Sequence, residues 1–375
     1  MHGHALLIAV LSAILSLVAS CGSSSGSADS RGGALNYTPT TANDGWQVAT
    51  PAGQGVDEAV LNTAYQEAQR LPNLFSLLVV KNGYLIAEGY FNGARMNQAF
   101  DTASVTKSIT SALTGIALQD SLLTSVDQRM FEFFPEIGWQ QLDSRKSLIT
   151  IRQMLQMRSG YPWEEFDGYM NRLLTTSERI DLLEEFPLVA DPGTKFGYSN
   201  LTAHLTGVIV ARAANESLRA FGERSLFDPL GISVASWATD ADGYYAGSGA
   251  TWFTARDMAR FGQLYLDGGA HGGMQLVPAE WVRDSFESYS GTTYNTDILN
   301  AISQLEYGYL WWSGVSGPHR FNFAWGHGGQ LICVVQDLNM VIVTTATGLG
   351  GEFGQDAWRQ ESSVLELAGR LIALL

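Results

Sequence analysis

The chain has 375 residues, of which 46% are hydrophobic and 16% charged, a composition typical of a globular protein with one large domain or two smaller ones. Its formal net charge is −15 and its acidic residues are scattered, which argues against a nucleic-acid partner because phosphate binding needs clustered lysine and arginine. With only two cysteines, Cys21 and Cys333, the sequence predicts neither a disulfide nor a zinc cluster.

The first predicted element, residues 5–20, is an apolar run with the length of a signal peptide, too short to span a membrane comfortably. It leads into Val18-Ala19-Ser20-Cys21, which resembles the lipobox of bacterial lipoproteins, whose cysteine is lipidated and becomes the mature N-terminus. We therefore expect residues 1–21 to be a lipoprotein signal peptide with Cys21 as the lipidation site; a plain cleaved signal peptide is the alternative. The Gly- and Ser-rich start of residues 22–45 predicts a flexible tether. The protein would then be exported and lipid-anchored to the bacterial cell envelope, with no other membrane contact.

Residues 46–375 form one continuous enzyme-sized region that begins with predicted strands and returns to strands near its end. Two β-rich runs around Lys81-Asn82-Gly83 predict a hairpin over 74–93, and a helix is predicted over 102–122. Further helical segments are predicted in the middle of the chain, over 147–160, 171–185, 201–215 and 254–269. Strands follow at 331–337 and 340–346, and the last twenty residues are expected to form a helix.

Two hairpins so far apart in sequence can share a sheet only if the chain folds back on itself. The predicted fold class is therefore α/β (α+β). An antiparallel sheet is built from N- and C-terminal segments and flanked by helices, with a mainly helical subdomain inserted at about residues 120–250.

A serine and a lysine lie three residues apart, at Ser104 and Lys107, in the predicted helix of a chain that has only four lysines. This spacing places both side chains on one helix face. Burial is costly for an ammonium group and favours the neutral amine, which would be a proton acceptor beside a hydroxyl nucleophile. The alternative is a surface serine with a lysine whose amine extends into solvent.

The second candidate motif is Tyr198-Ser199-Asn200, which follows a Pro-Gly turn and directly precedes the predicted helix at 201–215. Two residues apart on an extended loop, a tyrosine and an asparagine point the same way. The tyrosine could relay a proton and the asparagine could position a substrate carbonyl. Tyr169-Met170-Asn171 has the same spacing, but it lies in a helical, surface-type segment without turn signals and is the less favoured choice.

The third candidate motif is His327-Gly328-Gly329, immediately before a strongly apolar strand. Glycines at this point allow a substrate to lie against the strand edge. A structural histidine that caps the strand is the alternative, and His271-Gly272-Gly273 is a rival in what reads as a surface turn. The Gly-x-Ser-x-Gly pattern at 22–26 lacks the strand and helix that a nucleophile elbow requires.

In order, Ser104-x-x-Lys107, Tyr198-x-Asn200 and His327-x-Gly329 resemble the three motifs of serine β-lactamases and penicillin-binding proteins. The layout most resembles the class C-like branch, which includes family VIII carboxylesterases, D-amino-acid peptidases and 6-aminohexanoate-dimer hydrolases. The resemblance covers nearly the whole mature chain. The sequence departs from the family pattern at the third motif, where most β-lactamases carry Lys-Thr-Gly. Histidine here replaces a lysine that is aimed at the substrate carboxylate, and the loss of that lysine disfavours β-lactam hydrolysis.

The resemblance implies a serine hydrolase that forms an acyl-enzyme on a small ester or amide substrate without a metal or organic cofactor. A β-lactamase or D,D-peptidase, or a non-catalytic ligand-binding protein, are the alternatives. The oligomeric state stays open. The implied roles are Ser104 as nucleophile, Lys107 and Tyr198 as proton carriers, Asn200, His327 and Gly329 in substrate positioning, and the backbone N–H groups of Ser104 and Gln330 as the oxyanion hole. Tyr161 and Trp163 are candidates for lining a pocket, with simple packing as the alternative for both.

Overall fold

A nine-stranded sheet forms the centre of the computed structural model, which describes residues 36–291, 299–347 and 355–375. Residues 1–21 and the predicted lipidation site, Cys21, lie outside the described residues. The strands are β1 (Gln47–Val48), β2 (Leu74–Lys81), β3 (Tyr84–Tyr90), β4 (Ala99–Asp101), β5 (Ser236–Trp237), β6 (Thr251–Thr254), β7 (Ala270–His271), β8 (Met274–Gln275), β9 (Ser290–Gly291), β10 (Ser303–Tyr307), β11 (Trp312–Ser316), β12 (His319–Gly326), β13 (Gln330–Val335) and β14 (Met340–Ala346). The large sheet has the order β1-β3-β2-β14-β13-β12-β11-β10-β9.

The sheet joins the two ends of the domain, as the sequence predicted. The β2–β3 turn places Asn82 and Gly83 at positive φ (53° and 80°), which suits the twist of a tight hairpin. Strand β2 then pairs with β14 in antiparallel register, Val80 opposite Val341. Apart from the parallel pair β1–β3, the neighbours in this sheet are antiparallel. The mixed architecture with an antiparallel sheet built from both ends is confirmed.

Helices cover the sheet. The α-helices are α1 (Glu58–Ala68), α2 (Val105–Gln119), α3 (Ile151–Leu155), α4 (Glu164–Asp167), α5 (Met170–Thr175), α6 (Asp181–Glu185), α7 (Asn200–Ala214), α8 (Leu218–Gly222), α9 (Asp228–Leu230), α10 (Ala255–Leu266), α11 (Ala279–Phe286) and α12 (Gln355–Leu374). Short 3-10 helices span Ala52–Gln54, Met130–Phe133, Trp139–Gln141 and Ser144–Leu148, and a π-helical turn spans Glu223–Phe227. Within the described ranges, no helix is long and apolar enough to cross a membrane.

Close packing positions the central helices. Helix α10 lies against β13 and β14 at Gly262, where a Cβ atom would come within 2.6 Å of Val341 and 2.7 Å of Ile332. Helix α2 contacts both α7 and β12. The fold thereby brings the start of α2, the start of α7 and the β12–β13 turn to one place.

The middle of the chain is less regular than its apolar periodicity predicts. The segment 147–160 contains only α3, preceded by a 3-10 turn, and Met157 has a positive φ of 52° that ends regular structure there. The segment 171–185 is divided into α5 and α6. Tertiary packing overrides local helix preference in both places.

The end of the predicted tether packs on the domain. The backbone oxygen of Tyr37 accepts a hydrogen bond of 2.8 Å from the Glu88 N–H, and Asp44 forms an ion pair of 2.8 Å with Arg256. The buried Arg256 guanidinium also binds Glu88 at 2.6 Å. Residues 37–44 are therefore part of the folded domain, because they complete the surroundings of a buried arginine that also needs Glu88.

Candidate active site

Ser104 lies at the N-terminus of the 15-residue helix α2, in a sharp turn. The preceding residue, Ala103, has a φ of 47°, a left-handed conformation that is rare for alanine. Behind the turn, the Thr251 hydroxyl lies 2.6 Å from that of Thr102 and 2.7 Å from that of Thr106. This hydroxyl cluster holds the turn so that the serine is presented at the positive end of the helix dipole.

Lys107 is the centre of the predicted site. Its Nζ donates to Ser104 Oγ at 2.8 Å, to Asn200 Oδ1 at 2.7 Å and to the Ser248 backbone oxygen at 2.8 Å. The side chain is 1% exposed, and burial lowers the pKa of Lys107 to about 7, while the nearby Glu165 carboxylate acts in the opposite direction. About half of these amines are therefore neutral at neutral pH, beside a serine hydroxyl.

Tyr198 and Asn200 are held by a carboxylate that the sequence analysis did not identify. Glu164 is fully buried, and its oxygens accept hydrogen bonds from Ser199 Oγ (2.8 Å), from Asn200 N (2.9 Å) and from Leu201 N (3.0 Å). Burial raises the pKa of Glu164, and these donors oppose that rise. The carboxylate caps α7 and fixes the loop that carries the second motif.

The Tyr198 side chain is a neutral phenol in contact with the side chains of Ser104 and Lys107. Its hydroxyl hydrogen-bonds with Ser104, and Lys107 Nζ lies 4.8 Å from the centre of its ring. Burial raises the pKa of Tyr198 well above its usual range. The tyrosine is therefore placed to pass a proton between the lysine and a group bound at the serine.

The β12–β13 turn brings the third motif against Ser104. A Cβ atom on Gly326, the last residue of β12, would lie 2.3 Å from the Thr102 backbone oxygen and 3.1 Å from Ser104 N. Gly329 has a φ of 102°, and a Cβ atom there would lie 2.8 Å from Val364 Cβ. Glycine is required at both positions so that the hairpin can approach α2 on one side and α12 on the other.

His327 is oriented by Glu361, a buried residue of α12. The histidine Nδ1 lies 2.8 Å from Glu361 Oε2, and the same carboxylate accepts from Trp325 Nε1 (2.6 Å) and Gly328 N (2.9 Å). The pKa of His327 is raised by its hydrogen bond to Glu361, against the effect of burial. Because Nδ1 faces Glu361, the other imidazole nitrogen, Nε2, lies on the side of the ring away from this carboxylate.

Two pockets open on either side of Ser104, and Glu165 and His327 line both of them. The first, which we call the aromatic pocket, has a volume of about 420 Å³ and is further lined by Trp163, Tyr198, Trp312, Trp325, Trp358 and Glu361. The second, which we call the amide pocket, has a volume of about 1080 Å³ and includes Asn200, Ser248 and Arg179. A substrate carbonyl at the serine could thus extend in two directions.

The remaining predicted residues have different positions. Trp163 lines the aromatic pocket, whereas Tyr161 packs in the core, with its hydroxyl donating to the Leu183 backbone oxygen at 2.9 Å. Gln330 begins β13, and its side chain binds the Ala346 backbone, so only its main chain can serve the site. The rival His271 is exposed in the short strand β7.

Several residues that line the two pockets or hold the motifs in place escaped the sequence analysis. These are Glu164, Glu165, Glu361, Trp312, Trp325 and Trp358. Glu164 and Glu165 directly follow Trp163, so their position next to a candidate pocket residue was the one available signal.

The family follows from a comparison with known proteins, which agrees with this geometry. The family model described as Beta-lactamase matches residues 62–366. The chain belongs to the beta-lactamase family. All three motifs lie within the matched residues, so the resemblance that the sequence suggested is confirmed.

Individual relatives are distant. The chain is 25% identical over 307 residues to a 6-aminohexanoate-dimer hydrolase of Paenarthrobacter ureafaciens, covering 76% of each chain. It is 27% identical over 149 residues to beta-lactamase-like protein 2 of Dictyostelium discoideum, covering 39% of this chain but only 27% of that protein. The solved structure of EstCE1, a hydrolase with promiscuous acyltransferase activity, superposes with a TM-score of 0.62 at 15% identity, over 84% of this chain and 98% of that one.

Proposed function

We propose that the protein is a serine hydrolase that cleaves an ester or amide bond of a small substrate through an acyl-enzyme. The observation that carries this proposal is the 2.8 Å hydrogen bond between Lys107 Nζ and Ser104 Oγ in a buried setting. Because burial holds the pKa of Lys107 at about 7, the amine can accept the serine proton near neutral pH.

In the first half of the reaction, the Ser104 proton passes to Lys107 and Oγ attacks the carbonyl carbon. The oxyanion is stabilised by the backbone N–H groups of Ser104 and Gln330. Within the described part of the chain, no acceptor is found for the Ser104 N–H, which supports this role. The proton then passes through Tyr198 to the leaving oxygen or nitrogen as its bond to carbon breaks.

In the second half, a water molecule attacks the acyl carbon and gives its proton to the Tyr198–Lys107 pair. The bond to Ser104 Oγ breaks, and the serine recovers its proton. Asn200 and His327 position the substrate on either side of the serine. The role of Asn200 is consistent with its place in the amide pocket, beside Lys107.

An ester or ordinary amide is favoured over a β-lactam because the third motif carries His327 in place of lysine. The name of one relative, 6-aminohexanoate-dimer hydrolase, and that of a structural neighbour, a hydrolase with promiscuous acyltransferase activity, support hydrolysis by acyl transfer.

The test is hydrolysis of p-nitrophenyl butyrate by the purified protein and by Ser104→Ala, with Ser111→Ala as a matched control in the same helix. We expect activity in the parent and in Ser111→Ala only. Mass spectrometry after rapid quenching should show a butyryl group on Ser104. Equal activity in the parent and Ser104→Ala would refute the assignment, and hydrolysis of a chromogenic cephalosporin in place of the ester would favour the β-lactamase alternative.

We also propose that the protein is exported and that Cys21 carries the lipid anchor. Support comes from the sequence Val18-Ala19-Ser20-Cys21 after an apolar run. Metabolic labelling with a palmitate analogue in a bacterial host should mark the parent but not Cys21→Ser. Labelling of both would contradict the assignment.

A further inference from the structure

The aromatic pocket combines aromatic rings with carboxylates beside the nucleophile. Five aromatic side chains and two glutamates, Glu165 and Glu361, line it, and no lysine or arginine is among its described lining residues. Aromatic faces and a carboxylate together attract organic cations, by cation–π interaction and by charge.

The two carboxylates are in different situations. Glu361 accepts from His327, from the Trp325 indole and from the Gly328 N–H, so its charge is engaged in holding the hairpin. Glu165 is half-buried, and the one hydrogen bond found for it among the described residues comes from the neutral indole of Trp163, at 3.3 Å. Glu165 thus has no hydrogen bond to a charged group among the described residues, although its carboxylate also favours the protonated forms of Lys107 and His327.

The two pockets divide a substrate between them. Tyr198, which delivers a proton to the leaving group in the proposed mechanism, lines the aromatic pocket and not the amide pocket. The leaving group should therefore occupy the aromatic pocket, and the acyl group should lie toward Asn200. The amide pocket, which Glu165 and Asp240 also line beside Arg179, has no tryptophan, tyrosine or phenylalanine among its described lining residues, so it lacks the aromatic faces that favour a cation.

We propose that Glu165 and the surrounding aromatic rings select esters or amides whose leaving group carries an ammonium group. This inference rests on the proposed function and names its substrate class. The substrate cation lies against the indole and phenol rings with Glu165 as its counter-ion, while the scissile carbonyl remains at Ser104.

The test compares two esters with the same acyl group and nearly the same leaving-group shape, butyrylcholine and its uncharged analogue 3,3-dimethylbutyl butyrate. Hydrolysis is followed by pH-stat titration for the parent, Glu165→Gln, Glu165→Asp and an exposed control, Glu280→Gln. The quantity measured is the ratio of kcat/KM for the charged ester to that for the neutral ester. Because both esters use the same catalytic groups, any effect of the substitution on Lys107 cancels in this ratio.

Because the ammonium group also makes choline the better leaving group, the informative quantity is the change of this ratio between variants. We expect the ratio to be about tenfold lower in Glu165→Gln than in the parent, the order expected for loss of a partly buried ion pair supported by aromatic contacts. The ratio should stay largely intact in Glu165→Asp and not change in Glu280→Gln. It should also decrease as salt is raised in the parent but not in Glu165→Gln.

Each failure has a distinct meaning. If Glu165→Gln keeps the full ratio of the parent, the cation preference assigned to Glu165 is wrong while the hydrolase function stands. If the parent and Ser104→Ala hydrolyse neither ester and no p-nitrophenyl ester, the proposed function itself fails, and the inference fails with it.

Discussion

The pH dependence of turnover gives the sharpest test of Lys107 as the base. With an ordinary pKa of 10.5, about one amine in 3000 would be neutral at pH 7, whereas a pKa of about 7 makes half of them neutral. Burial thus increases the fraction of available base by about a thousandfold. The buried position of Lys107 is what makes neutral-pH catalysis by this residue feasible.

We expect kcat/KM for p-nitrophenyl butyrate to fall tenfold for each pH unit below about 7, where Lys107 becomes protonated, and to level off above it. No alkaline decrease is expected up to about pH 10, because burial keeps the Tyr198 phenol protonated. Spontaneous hydrolysis is subtracted at each pH, and the protein's circular dichroism confirms that it stays folded over the range.

His327 must be separated from Lys107, because its hydrogen bond to Glu361 raises the pKa of the imidazole, which could produce an acid limb of its own. In His327→Asn the acid limb should persist. In Glu165→Gln the limb should move to lower pH, because the carboxylate that favours the protonated lysine has been removed. Because Glu165 also favours the protonated form of His327, the histidine substitution is decisive, and a limb that disappears in His327→Asn would refute the assignment of the base to Lys107.

Three substitutions test other parts of the structure. Gly326→Ala should reduce kcat/KM at least about a hundredfold, since its Cβ would displace the Ser104 backbone that supplies an oxyanion donor; wild-type rates would contradict this packing. Tyr198→Phe should lower kcat by about 10²–10⁴ with little change in KM, and a loss confined to KM would argue against proton transfer. Arg256→Met should lower the free energy of unfolding by about 3–5 kcal/mol in urea titrations, since it leaves Glu88 buried and unpaired, and should leave kcat/KM at 25 °C nearly unchanged.

The sequence predicted the elements whose signals are local. The β2–β3 hairpin follows from Asn82-Gly83 between β-rich runs. The helix predicted over 254–269 is α10, which is capped by the Thr254 hydroxyl as it accepts from Asp257 N. The three motifs could be recognised because each is a short pattern. That both ends of the domain share one sheet was an inference from topology, which the β2–β14 pairing confirms, whereas the grouping of the motifs in one site was implied by the family resemblance.

The residues that hold the motifs could not be found in this way. Glu164 binds Asn200 across 36 positions, and Glu361 binds Gly328 across 33. The local sequence around a single glutamate on an amphipathic segment does not indicate such a contact. The helices between 147 and 185 were predicted too long for a related reason. Contacts with distant segments set where these helices end, and the local sequence does not show those contacts.

Glu164 and Glu361 are needed for the same physical reason. A serine–lysine pair works near neutral pH only in a dry setting, because burial is what lowers the lysine pKa. In that setting, the backbone N–H groups of the two flanking loops cannot form hydrogen bonds with water, so they need buried acceptors. A carboxylate can accept several hydrogen bonds at once, as Glu164 does at the start of α7 and Glu361 does at the His327 hairpin. The burial that makes Lys107 a base therefore also requires the glutamates that hold its partners in place.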